Sequence, residues 1–145
     1  MMTMRNTRQI ISIVAVLTSL LALPVMAQEA QCPRLPADSS LHWNEVRNPD
    51  LLFCKAVGAD GVQVFSVMLS RESPFRPVRS LRAESSTIHG REARWYRTEI
   101  ASRPDLQARE TSIELADGTV AYFNVQARSD AELQAAYSRI AALQF

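Results

Sequence analysis

The stretch "ETSIELADGTVAYFNVQA", Glu110 to Ala127, decides how the chain is read. Two β-rich runs, "ETSIEL" and "TVAYFNVQA", flank the turn signal "ADG" (Ala116 to Gly118). Ile113, Leu115, Tyr122 and Phe123 give the pair its apolar and aromatic weight. This is a hairpin, and an antiparallel sheet is its natural setting.

The same signals extend outward. "LLFCKAV" (Leu51 to Val57) and "VQVFSVML" (Val62 to Leu69) form a second hairpin around "GADG". The second run is apolar on both faces: Val62, Val64 and Met68 on one, Phe65, Val67 and Leu69 on the other. A central strand covered on both sides is expected there. "SLRAESSTI" and "REARWYRTEI" flank "HG", a third reversal with looser alternation. Downstream, "SDAE" (Ser129 to Glu132) is a capping box, and Asp130 and Glu132 oppose the helix dipole. Leu133, Ala136, Tyr137, Ile140 and Ala141 then fall on one helical stripe. "SSLHWNEVRNPD" (Ser39 to Asp50) reads as a short helix capped by Ser39 or Ser40 and stopped by Asn48 and Pro49. The alternative is an irregular cover holding Trp43. The expected fold is α+β: an antiparallel sheet of about five or six strands packed against a C-terminal helix, with a disulfide-tethered N-terminal segment.

The N-terminus predicts export. Arg5 and Arg8 precede the apolar run Ile10 to Leu23, Pro24 breaks it, and "VMA" ends at Ala27 as a cleavage site. The run of about 14 residues is short of the ~20 that span a bilayer, so no stable membrane anchor is expected after cleavage. Cys32 follows "EAQ", unlike an acylation site. A signal peptide over 1–27 leaves 118 of the 145 residues, 28–145, as one domain. An Arg-rich, Lys-poor composition adds a bacterial character, and the expected location is periplasmic or secreted. Cys32 and Cys54 are the only cysteines, and in an oxidising compartment they are expected to pair.

A likeness to a known group rests on "TIHGREARWY", followed by a second hairpin and a final helix. Over about Phe53 to Phe145 this layout resembles the small exported α/β domains of the PsbP-like group. The resemblance implies binding and accessory roles and carries over no catalytic residue.

Chemistry is sparse. His89 beside Gly90 has Ser85 and Ser86 upstream but no G-x-S-x-G sequence, and His42 adjoins Trp43, a packing context. Glu110 and Glu114 share a strand face at a spacing that any solvent-facing strand produces. Neither a phosphate-binding glycine loop nor a calcium loop can be written. No enzyme, cofactor or metal is expected. Without Arg5 and Arg8 the 16 cations fall to 14 against 15 acids, a net charge of −1. That balance excludes general nucleic-acid binding, which needs a strong cationic surplus.

The anomaly is local. "SRESPFRPVRSLR" (Ser70 to Arg82) opens a span, Arg71 to Arg97, with seven arginines against Glu72, Glu84 and Glu92. Arginine grips carboxylates in two-pronged fashion, and Pro74 and Pro77 stiffen the loop that presents it. Arg71, Phe75, Arg76, Arg79, Arg82 and Trp95 are the predicted contact residues. The expected partner is an envelope or toxin protein with an acidic face, met in an immunity, inhibitor or accessory role. The alternative is a ligand module recognising a lipid phosphate or carboxylate. Plain solvated surface is the competing explanation for any single arginine.

Overall fold

The computed structural model describes residues 29–145. The expected signal peptide therefore lies outside the described residues. The founding hairpin is present as β6 (Gln107–Glu114) and β7 (Val120–Ala127), joined around Gly118 at φ 80°. A backbone bond from Leu115 N–H to the Thr119 carbonyl (2.8 Å) closes the turn. Upstream lie β1 (His42–Asn48), β2 (Leu51–Val57), β3 (Gln63–Ser70), β4 (Arg82–Ile88) and β5 (Arg91–Thr98). The one α-helix among the described residues, α1 (Asp130–Ala141), follows β7.

All neighbouring strands pair antiparallel in the order β1-β2-β3-β7-β6-β5-β4, a seven-stranded sheet with β1 and β4 at its edges. The sequence reading fell one strand short, and β1 is the missing one. The segment read as a helix, Ser39 to Asp50, contains a strand that pairs residue for residue with β2, from His42 opposite Val57 to Asn48 opposite Leu51. A helix cannot offer that ladder to a strand edge, and Asn48 to Leu51 instead form a tight reversal.

One face of the sheet holds the core. Strand alternation sends Leu52, Cys54 and Ala56 of β2, Phe65, Val67 and Leu69 of β3, and Ala121, Phe123 and Val125 of β7 to this side. Each large apolar side chain so buried contributes about 1.5–3 kcal/mol before entropy is charged against it. Helix α1 covers one half of the face, against β4 and β7, through Leu133, Ala136, Tyr137 and Ile140. The Ser129 hydroxyl accepts from the Glu132 N–H (3.2 Å) as the capping box requires, while the Glu132 carboxylate reaches one residue further back, to the Arg128 N–H (2.8 Å).

The N-terminal segment belongs to the other half. Cys32 is bonded to Cys54, the Trp43 indole donates to the Pro33 carbonyl (2.7 Å), and Arg34 bridges to Gln144. Thus the first and last described segments meet. The disulfide points to an oxidising, extracellular or periplasmic environment. No helix among the described residues is long and apolar enough to cross a membrane.

Among the described residues the opposite face has no helix. β3 is internal, as expected, but not covered equally on both sides: Val64 and Met68 are half-buried and Val62 is exposed. What lies across this second face is a loop.

Candidate functional site

β3 and β4 are separated in the sheet by β7, β6 and β5. Four successive antiparallel pairings make β3 and β4 run in the same direction. Residues 71–81 must therefore travel about 19 Å sideways at ordinary strand spacing, besides returning towards the start of β4. An eleven-residue segment reaches at most about 36–40 Å, so a largely extended path is required. Pro74 and Pro77 favour that conformation.

Phe75 marks the path. Its ring lies 5.2 Å from Tyr96 of β5 and 6.4 Å from Tyr122 of β7, both centroid to centroid. Register places both tyrosines on the helix-free face: Tyr122 is opposite Met68 and Tyr96 opposite Glu110. The Tyr122 hydroxyl donates to Glu110 at 2.6 Å, and burial together with that carboxylate pushes the phenol well above its ordinary range. The arginine loop is thus a strap pinned by an aromatic clamp. Phe75 is half-buried in the clamp, so most of its ring faces its own sheet.

Local hydrogen bonds fix the rest of the strap. Ser70 Oγ donates to the Glu72 carbonyl (2.6 Å), and the Phe75 N–H donates to Ser73 Oγ (3.1 Å). Arg71 donates to the Asp117 carbonyl (2.9 Å) and Arg76 to the Ser73 carbonyl (3.0 Å). A single 3-10 turn, Arg79–Leu81, leads into β4. Past it, Arg94 donates to the Ala83 carbonyl (3.0 Å) and Arg97 to the Ser80 carbonyl (3.3 Å).

All seven arginines from Arg71 to Arg97 are exposed, and none makes an ion pair with another described residue. Their recorded bonds go to backbone carbonyls, which orient a guanidinium without cancelling its charge. Arg109, by contrast, is spent internally. Its Nε reaches Glu84 at 3.0 Å, and Tyr137 Oη donates to the same carboxylate at 2.6 Å, joining β4, β6 and α1. Burial pulls the Glu84 pKa upward, but the Tyr137 hydrogen bond and the Arg109 charge outweigh it and hold the carboxyl below its ordinary value.

One predicted contact residue is corrected. Trp95 is fully buried: its indole stacks on Tyr137 at 4.6 Å and donates to Ser86 Oγ at 2.7 Å. Strand alternation puts it with Ala93 on the core side, leaving Arg94 and Tyr96 on the helix-free face. It cannot touch a partner. Arg71, Arg76, Arg79 and Arg82 lie along the strap or at its exit, where Arg94 and Arg97 join them through the Ala83 and Ser80 carbonyls, whereas Arg91 lies at the other end of β5 beside the His89–Gly90 turn. Period-two counting from Trp95 would have exposed Arg94 and Tyr96 as the outward neighbours.

Two open clefts lie on the surface, and the first is walled in part by the strap, Ser70 to Pro74 with Arg76. A wide one of about 1140 Å³ places Arg47, Arg71 and Arg76 against Glu29, Asp50, Glu72 and Asp117. A second, of about 600 Å³, has Arg103, Arg128 and Arg139 with Asp60 and Glu132, and Arg103 is already tied to Asp105 at 3.0 Å. Arg71 and Arg76 of the strap therefore share the first cleft with Asp50, Glu72 and Asp117, and in both clefts acids stand beside the cations. Among the described residues no group of acids, histidines and cysteines could hold a metal ion. No family model, curated protein or solved structure matches the chain.

Proposed function

We propose that this chain is a small exported, non-catalytic interaction protein whose strap and β4–β5 edge engage a protein partner with an acidic face. The observation that carries the reading is the set of seven exposed arginines without internal ion pairs, in a mature chain that is otherwise slightly acidic. Four of them, Arg71, Arg76, Arg94 and Arg97, are anchored at backbone carbonyls and so partly ordered, which lowers the entropy cost of meeting carboxylates. The role is that of an immunity or inhibitor protein, or of an envelope accessory factor. Such roles require surface complementarity and no reactive group. The resemblance of the sequence around "TIHGREARWY" to the PsbP-like group implies a binding role too.

The experiment is quantitative capture from an envelope extract, comparing the wild type with an Arg76→Glu/Arg79→Glu/Arg82→Glu variant. The variant should keep the wild-type circular dichroism spectrum and lose acidic proteins that the wild type enriches. An identical capture profile from both proteins overturns the reading.

A further inference from the structure

The two edges of the sheet differ. β4 is irregular, with a register break between Arg82 and Ser85, and bulges of this kind blunt an edge against further pairing. β1 has no such defence: its seven residues pair with β2 without a break, and its other side is free among the described strands. Six of the seven are exposed, Trp43 alone being half-buried. Val46, on the helix-free face opposite Phe53, is 44% exposed.

We infer that β1 is a homodimer edge, pairing antiparallel with β1 of a second copy about a twofold axis at Val46. In that register Val46 faces its own counterpart, Glu45 faces Arg47 of the second copy, and Asn44 faces Asn48. Only this register sets Glu45 opposite Arg47, and symmetry does so twice. Centring on Glu45 or Arg47 would instead oppose like charges, which is unfavourable across a sheet. Within one copy the two side chains meet poorly, with Arg47 Nη2 4.0 Å from Glu45, because residues two apart on a strand are separated along its length. Arg47 Nη1 is occupied by Glu29 (3.2 Å) and the Ala30 carbonyl (2.9 Å), which hold the guanidinium in place while Nη2 stays available.

The result is a continuous fourteen-stranded sheet with isologous contacts, the commonest form of small oligomer. Both arginine edges lie at its far ends, so a dimer presents the proposed partner surface twice and gains avidity on any multivalent target. Seven paired residues bury little area, so the affinity is micromolar or weaker.

Sedimentation equilibrium of the mature protein tests this across micromolar to millimolar concentrations. A monomer–dimer equilibrium is expected. Glu45→Arg and Arg47→Glu should each weaken it about tenfold or more, and the double variant should restore it. Both side chains are exposed, and circular dichroism reports whether each variant is folded. A monomer throughout the range overturns the proposal. So does a dimer that the single reversals leave unchanged, or one that the charge swap fails to rescue. Arginine-edge binding to acidic protein is measured separately, so failure of one idea leaves the other standing.

Discussion

Two neighbouring residues, Trp95 and Tyr96, divide the inside of this molecule from the face that the strap crosses. Trp95 is sealed under α1 while Tyr96 supports Phe75 of the strap. Trp95→Ala should cost about 3–5 kcal/mol, the usual penalty for emptying a large aromatic site, whereas Arg79→Ala should stay within about 0.5 kcal/mol. Urea unfolding of the two variants checks the contrast. Glu84 gives a pH signature. Its carboxyl titrates below its ordinary value in the folded protein, so its stabilisation is present above the unfolded pKa and is lost as pH falls through the folded one. Glu84→Gln should therefore lower stability by roughly 1 kcal/mol at neutral pH and make the acid-side decline shallower. Unfolding midpoints measured from pH 7 down to pH 3 read this directly. Trp95 shows why residue-scale reading falters: arginines and an indole adjacent in sequence suggest one surface, but a strand sends alternate residues to opposite faces.

At the scale of elements, the hairpins and helix were legible because each carries local signals. Gly118 and the His89–Gly90 reversal, both residues of the latter at positive φ, fix two turns, and Ser129 with Glu132 fixes the start of α1. β1 was not legible. An edge strand exposed on both faces has no apolar alternation to read, and Ser39, Ser40 and Pro49 imitate helix boundaries. The strap was recognised as stiff and cationic, but its course depends on β3 and β4 standing apart in the sheet, which no local pattern encodes. Phe75→Ala should release the strap from its tyrosines. Limited digestion with trypsin should then cut faster after Arg79, with mass spectrometry locating the site. Wild-type cleavage rates in the variant would mean that the aromatic clamp does not hold the strap.

At the scale of the whole molecule, the disulfide and the terminal contacts close the unhelical half of the core. Cys32 and Cys54 lie 22 positions apart, and a cross-link of that span contributes about 3 kcal/mol by restricting the unfolded chain. The Cys32→Ser/Cys54→Ser variant should lose about that much stability in urea, with a smaller loss only if the Arg34–Gln144 bridge holds the segment alone. Charge is also organised globally. Among the described residues seven arginines without an ion pair fall between Arg71 and Arg97 and three elsewhere, Arg34, Arg128 and Arg139, while Arg47, Arg103 and Arg109 are matched by acids. This asymmetry is the central claim, and a titration of the isotope-labelled mature protein with a short polyglutamate peptide, followed by NMR, tests it most directly. Shift changes should concentrate on Arg71 to Arg97 and shrink with added salt. Changes spread evenly over all the arginines, or centred on Arg103, Arg128 and Arg139, would contradict it.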